Sequence, residues 1–327
     1  MRSVYQRLPR PFIAAAPMED ITDTAFRRVL RGVAAPDLMY TEFAWVKGLC
    51  SNKPTRARNR LRFHPEERPL IAQLWGRDPE AFECAAGVAA QLGFDGIDIN
   101  MGCSVPKVLK RGSGAGLIAT PELAAAVISA ARRGAPSLPL SVKTRLGLNE
   151  PRIEEWCGFL LRQDLDALCV HARTAAQGYG GAANWEAINE VLALRDRLAP
   201  RTVIIGNGDL ISAGSALRLH PRYPVDGLMI GRAMLRNPFA MSRDSEGEEL
   251  PTEATGLELY RRHITLHREI WQERRSAGVL KRFVGTYLAG TSQHAELRRA
   301  LLLSRDHDEM LALITQAQAQ RGTVLPA

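Results

Sequence analysis

The sequence has no run of about 18 apolar residues, so nothing in it reads as a membrane-spanning helix. Its first residues, MRSVYQRLPRPF, are charged and lack an apolar core, which excludes a secretory signal. Cysteine is scarce and odd in number: Cys50, Cys84, Cys103, Cys157 and Cys169. None forms a C-x-x-C pair or stands at metal-ligand spacing from a histidine. That argues against a disulfide framework and against a zinc site, and it predicts a reducing, cytoplasmic setting with no bound metal. A P-loop is missing, and no G-x-G-x-x-G follows the first apolar run, which disfavours an open dinucleotide-binding sheet. Acidic residues are also in deficit. There are 35 Asp and Glu against 43 Lys and Arg, a net charge of +8, and such an excess suits a polyanionic partner.

What is present is ordinary globular material, 46% hydrophobic and 24% charged over 327 residues. Eight short apolar runs recur: Phe12–Ala16, Asp37–Tyr40, Leu70–Leu74, Gly96–Ile99, Leu140–Val142, Ala167–Val170, Thr202–Ile205 and Gly227–Ile230. They are nearly continuous rather than alternating, as in parallel strands buried on both faces. Helical stretches with clear punctuation separate them. Asp78-Pro79-Glu80 and Thr120-Pro121-Glu122 each supply a capping residue and then a proline for the first turn. Gly93 and Gly134 stand where a left-handed helix end is expected. Eight strand–helix units in about 240 residues predict an α/β fold, a (β/α)8 TIM barrel.

After residue 242 the texture changes. Residues 243–255 are polar and read as a linker, and 256–327 are helical without strand candidates. Between 260 and 305 that region carries ten Lys and Arg against three Glu. The expected organisation is a barrel over 1–242, a linker over 243–255 and a small all-helical domain over 256–327.

A barrel of this kind works at the C-terminal ends of its strands. Pro17 and Met18 follow the first run, Gln73 lies at the end of the third, and Asn100 to Cys103 follow the fourth. Lys143 and Arg145 follow the fifth, and His171 and Arg173 the sixth. Gly206-Asn207-Gly208-Asp209 and Gly231-Arg232 follow the last two, the usual place for a phosphate held by backbone amides. Lys143 ends an apolar strand, where a cation needs a partner: a phosphate-bearing redox cofactor, or a carboxylate such as Glu42 or Asp98. Cys103 lies in a turn-rich loop, and an ordinary thiol with a pKa of ~8.5 is mostly protonated at neutral pH and can serve as an acid. The other four cysteines read as small buried hydrophobes.

Taken in order, A-P-M-E-D-I-T-D (16–23), A-Q-L-W-G (72–76), D-I-N-M-G-C (98–103), K-T-R-L-G (143–147), H-A-R-T (171–174), Q-G-Y-G-G-A-A-N-W (177–185) and G-N-G-D (206–209) resemble the bacterial tRNA-dihydrouridine synthases. The resemblance implies reduction of the C5=C6 bond of a D-loop uridine in tRNA, with FMN as cofactor and NADPH as its reductant. It implies that Cys103 protonates C5. It places Pro17, Met18, Gln73, Lys143, His171, Asn207, Gly208, Asp209, Gly231 and Arg232 around FMN, and Asn100, Lys143, Arg145 and Arg173 near the target base. It also suggests a monomer, with the basic helical domain binding tRNA. In that family a proline usually follows the cysteine directly; here Ser104 follows and the proline is Pro106, so another residue is expected to stiffen the loop.

Chemistry agrees with the resemblance, because no side chain donates hydride and a positioned acid is worth roughly 10²–10⁴ in rate. A base in folded tRNA must be flipped out to reach a barrel mouth, and phosphate contacts can offset that cost. The stretch 52–68, with Lys53, Arg56, Arg58, Arg60, Arg62 and Arg68 against Glu66 and Glu67, is a candidate for such contacts. Trp45, Phe63 and Tyr179 are candidates either for stacking on a base or for plain packing. Two other readings remain at this stage: an FMN barrel acting on a small molecule, like a dihydroorotate or ene reductase, and a non-catalytic RNA-binding protein.

Overall fold

A computed structural model describes residues 3–53, 55–247, 250–289 and 295–322. Parts of the expected linker and helical region, 248–249, 290–294 and 323–327, lie outside the described residues. The strands are β1 (Phe12–Ala15), β2 (Leu38–Tyr40), β3 (Ala44–Trp45), β4 (Leu70–Trp75), β5 (Gly96–Met101), β6 (Leu140–Arg145), β7 (Ala167–His171), β8 (Val203–Asn207) and β9 (Gly227–Ile230). They form one sheet in the order β2-β1-β9-β8-β7-β6-β5-β4-β3, and a parallel β2–β4 pairing closes eight of them into a barrel. The two-residue β3 is an extra strip on β4 that the hydrophobic runs do not signal.

Several strands run further than their apolar stretches. β4 reaches Trp75, β5 reaches Met101, β6 reaches Arg145 and β8 reaches Asn207. The reason is the pleat, which sends alternate residues to opposite faces. Ala167 and Cys169 of β7 and Val203 and Ile205 of β8 share one buried cluster with Phe12, Ala14, Tyr40 and Met229. His171 and Asn207 continue that inward face. The register pairs Ser141 with Ala167, Lys143 with Cys169 and Arg145 with His171, then Asp98 with Ser141, Asn100 with Lys143 and Gln73 with Asp98. The interior face is therefore apolar at one end and polar at the other. Tyr5, fully buried, joins the apolar layer from the short helix Val4–Arg7. Burying side chains such as Phe12 or Ile13 contributes ~1.5–3 kcal/mol each.

Helix punctuation holds at Asp78, whose carboxylate caps Pro79–Gln91 by accepting the Ala81 N–H at 3.3 Å. Thr120 precedes Pro121–Gly134 without a side-chain cap. Gly93 is left-handed, at φ 78°, as expected. Gly134 is not: it ends its helix in ordinary geometry, and a Cβ there would fall 1.9 Å from the Glu83 carbonyl oxygen, so close helix packing demands the glycine. The cysteine expectation also needs correcting. Cys50 and Cys84 are joined in a disulfide across 34 residues, and neither their spacing nor the cysteine count signals it. Cys157 and Cys169 are buried free thiols.

The chain packs as two compact units. One comprises Met1–Thr24, Pro36–Leu210 and Ala216–Gly231 and contains the barrel. The other comprises Ala25–Ala35, Ile211–Ser215 and Arg232–Ala327 and is helical where described, including the long helix Glu253–Trp271. The helix Thr24–Val33 thus follows β1 in sequence yet gives most of its length to the helical unit. Phe26 stacks on Phe283 at 5.0 Å, and His263 meets the Phe283 ring edge-on at 4.7 Å. No single described helix is long and apolar enough to cross a membrane.

Candidate active site

The polar end of the barrel interior collects most of the residues that the sequence singled out. Asn100 and Arg145 are buried, as are His171, Arg173 and Asn207, while Lys143 is half-buried. Lys143 Nζ donates to Asn207 Oδ1 at 3.2 Å, and Asn207 Nδ2 donates to the Met229 carbonyl at 2.7 Å. Burial pulls the Lys143 pKa down, while the sulfur of Cys169 and the carboxylate of Asp98 favour its charge. Asp98 does not bond Lys143. Its two oxygens are taken by Ser141 and Gln73.

The Cys103 loop is held from several sides. Asn100 Oδ1 accepts the N–H groups of Gly102 (3.2 Å) and Cys103 (3.0 Å), and the Ala115 N–H donates to the Cys103 carbonyl (3.1 Å). Pro106 opens the short helix Pro106–Lys110. The stiffening that a proline at 104 would give thus comes from the Asn100 side chain and from Pro106 at the helix start. The thiol is partly buried, and burial pushes its pKa up; the Val105 N–H and Arg145 oppose this without reversing it.

Arg145 and Arg173 are occupied by backbone. Arg145 donates to the Gly102 carbonyl (2.8 Å) and to those of Thr174 (2.8 Å) and Gly178 (2.9 Å), tying the cysteine loop to the loop after β7. Arg173 bonds the carbonyls of Gly180 and Gly181, the Asp209 carboxylate (2.6 Å) and His171 Nε2 (3.3 Å). Together they shape the segment 174–181. Tyr179 stands at its tip, 64% exposed, with its ring 5.9 Å from the Arg145 guanidinium and 6.3 Å from His171.

The remaining residues occupy the neighbouring loops. Met18 and Pro17 are half-buried, with the Met18 N–H donating to Thr22 Oγ1 at 2.9 Å. Gly208 has φ 133°, and a Cβ there would lie 2.8 Å from that of Ala183. Asp209 accepts the Ala183 N–H at 2.8 Å as well as Arg173. At Gly231 a Cβ would meet only that of Ala16, at an ordinary 3.5 Å, so packing within the protein does not demand a glycine there. Arg232 opens the helical unit, directly before Ala233–Arg236.

Within the stretch 52–68, Arg60 bonds Glu42, Glu19 and Asp20, and Arg68 pairs with Asp95; Lys53, Arg56, Arg58 and Arg62 have exposed side chains. Phe63 packs on Phe94 at 4.7 Å, whereas Trp45 is 46% exposed. Residues that motif reasoning missed are Tyr5 and Ser141, which line up behind Asp98, and the Arg60–Glu42 pair. Ser141 and Asp98 were visible in principle as polar residues at alternate positions inside apolar runs. Among the described residues, no group of three or more His, Cys, Asp or Glu is arranged to hold a metal.

Comparison with known proteins follows the same lines. The profile of the family described as dihydrouridine synthase (Dus) matches residues 14–322. "Probable tRNA-dihydrouridine synthase 2" of Bacillus subtilis (strain 168) is 42% identical over 313 residues, covering 95% of each chain. "Probable tRNA-dihydrouridine synthase" of Staphylococcus aureus (strain COL) is 39% identical over 324 residues, covering 97% of this chain and 96% of its own. Among solved structures, a morphinone reductase N189A mutant in complex with tetrahydroNAD superposes with a TM-score of 0.51 at 14% identity, over 76% of this chain and 90% of the other, a likeness of fold. With a family profile that spans nearly the whole chain, and with relatives near 40% identity over almost all of it, the chain belongs to the dihydrouridine synthase family.

Proposed function

We propose that this chain reduces the C5=C6 bond of a D-loop uridine in tRNA, with Cys103 delivering the proton to C5. The observation that carries the reading is a thiol kept neutral by burial, on a loop held rigidly at a barrel mouth crowded with amides and cations.

The donor set suits FMN. Lys143 supplies a cation for the edge of the ring system that becomes negative on reduction, and the Asn207 amide supplies a further polar group. Gln73, fully buried and bonded to Asp98 and Asn100, supports that surface from behind. Pro17, Met18 and His171 line the same mouth. Gly231, which protein packing leaves unconstrained, and Arg232, the next residue in sequence, are the candidates for the phosphate. Gly208 and Asp209 shape the loop that carries Arg173. When bound and reduced by NADPH, FMN supplies the hydride that C6 requires.

The protein's own part is proton delivery and positioning. As hydride reaches C6, electron density moves toward C5 and the C4 carbonyl. The Cys103 S–H bond breaks, its proton forms the new C5–H bond, and the thiolate is reprotonated from solvent. Arg145 and Arg173 act on the base indirectly, by fixing the loop that presents Tyr179. The flipped nucleotide is held in tRNA by phosphate contacts from Arg56, Arg58, Arg62 and the basic helical region 256–327.

The decisive experiment maps dihydrouridine in unmodified tRNA incubated with the purified enzyme and NADPH. The wild-type protein is expected to be yellow and to form the product. Cys103→Ala is expected to stay yellow and to lose the product. A colourless wild-type protein, or normal product from Cys103→Ala, would overturn the reading.

A further inference from the structure

A line of buried polar groups runs up the barrel interior to the cysteine loop. Tyr5 OH donates to Ser141 Oγ at 2.8 Å, and Ser141 Oγ donates to Asp98 Oδ1 at 2.5 Å. Gln73 Nε2 donates to Asp98 Oδ2 at 2.7 Å, and Asn100 Nδ2 donates to Gln73 Oε1 at 3.0 Å. Asn100 Oδ1 then accepts the two backbone N–H groups of the loop, from Gly102 and Cys103. Gln73, Asp98 and Ser141 are fully buried, so water does not complete these bonds from outside.

The ends of this line dictate its middle. Backbone N–H groups only donate, so Asn100 must show them its oxygen and turn its NH2 toward Gln73. Gln73 must then show its oxygen to Asn100 and its NH2 onward. Only an acceptor can stand at the next position, and an ionised carboxylate is one on both of its oxygens. We propose that Asp98 is a positioning residue: it supplies the buried acceptor that completes the Gln73–Asn100 amide relay, and that relay fixes the loop that carries Cys103. The importance of that thiol rests on the function proposed above. The relay's hold on the loop does not, and it can be read without any turnover.

The test measures alkylation of Cys103 by iodoacetamide in the purified holoenzyme, quantified on the labelled peptide. The readout is clean, because Cys157 and Cys169 are buried and Cys50 and Cys84 are bonded to each other. Asn100→Asp leaves no donor for Gln73 Oε1. If the Gln73 amide turns over, its oxygen faces Asp98 instead, so at alkaline labelling pH, where Asp98 is ionised, two acceptors oppose each other either way. Labelling is expected to accelerate about tenfold or more as the loop loosens. Asp98→Asn alone is expected to stay within about threefold of wild type, because the new amide can offer its oxygen to Gln73 and its NH2 to Ser141.

The double variant Asp98→Asn/Asn100→Asp decides the matter. With the carboxylate moved to the loop end, the Gln73 amide reverses and every bond is again satisfied. Labelling is expected to return to within about threefold of wild type. A double variant that labels as fast as Asn100→Asp overturns the proposal, as does an Asn100→Asp protein that labels like wild type. If Asn100→Asp does not fold, a folded double variant supports the relay and an unfolded one overturns it.

Discussion

Arg60 offers the sharpest separation of structure from RNA binding, because composition assigns it to the basic surface and geometry removes it from there. Its guanidinium bonds Glu42, Glu19 (2.5 Å) and Asp20 (2.7 Å), and Glu42 is 1% exposed. Burial alone would lower the Arg60 pKa, but Glu42, Glu19 and Asp20 more than offset this and raise it. Arg60→Met keeps the length of the side chain and deletes the charge. Glu42 then keeps the Asp20 N–H at 2.7 Å but loses its guanidinium, in a place water does not reach. Removing one partner of a buried pair costs about 3–5 kcal/mol. The retained N–H puts the expected loss near the lower end, about 3 kcal/mol. Equilibrium urea denaturation reads this directly. Arg60→Met/Glu42→Gln should recover much of the loss, since a neutral amide at 42 no longer needs the cation. In the same preparations, the salt slope of tRNA binding should be unchanged by Arg60→Met, whereas replacing Arg56, Arg58 and Arg62 with Ala should flatten it by up to about three units. A Met variant as stable as wild type but with a flattened slope would refute the assignment of Arg60 to the interior.

Further outcomes follow from individual groups. Because burial raises the Cys103 thiol above the ordinary thiol value of ~8.5, the rate of product formation should stay level through the range in which an ordinary thiol ionises and fall only at more alkaline pH, while Cys103→Ala should cost roughly 10²–10⁴ wherever the thiol is protonated, with the gap closing as it ionises. Asp98 is raised from 3.8 to about 6 by burial, so the folded chain holds this proton more tightly than the unfolded one. Its destabilisation is absent below pH 3.8, grows as pH rises through the interval and is complete above about 6. Relative to wild type, Asp98→Asn should therefore gain about 3 kcal/mol in urea melts between pH 4 and pH 7. Reducing the Cys50–Cys84 bond, which spans 34 residues, should lower stability by about 4 kcal/mol if chain entropy dominates, measured as a shift in the urea midpoint with and without dithiothreitol.

The barrel was legible because its strands are buried on both faces and so spell out eight apolar runs. The gathering of Asn100, Lys143 and His171 at one end of the barrel was legible as well, because each closes or follows an apolar run and parallel strands bring those ends together, with Cys103 in the loop after β5. What the runs concealed was parity. Hydropathy ends β6 at Val142, but the strand continues to Arg145 because Lys143 and Arg145 point inward on alternate pleats. The same effect hides Ser141, a polar residue placed singly inside an apolar stretch, and the partners of Asp98, which are Ser141 and Gln73 rather than Lys143. Gly134 was read as a left-handed helix end, whereas it makes room for the Glu83 carbonyl of a neighbouring helix. The roles of Arg60 and Tyr5 depend on partners distant in sequence, and the Cys50–Cys84 bond likewise joins residues whose approach only the fold determines.

The electrostatics of the mouth explain how a cysteine among cations keeps its proton, as the proposed role of an acid requires. Nucleophilic cysteines are thiolates, stabilised by nearby positive charge. Lys143 and Arg145 exert that pull on Cys103, yet burial and Glu19 outweigh it and the proton stays on. The cations are also directed elsewhere: Lys143 to Asn207, Arg145 to three carbonyls and Arg173 to Asp209 and the 180–181 backbone. They raise the potential of the cavity without capturing the sulfur. A positive cavity favours negative charge that develops on a cofactor edge or a pyrimidine carbonyl, and a neutral S–H within it has a proton to give. In the proposed reduction both properties are needed at the same moment, so a substitution that freed one cation to pair with the sulfur would lower the thiol's pKa and deplete its protonated form.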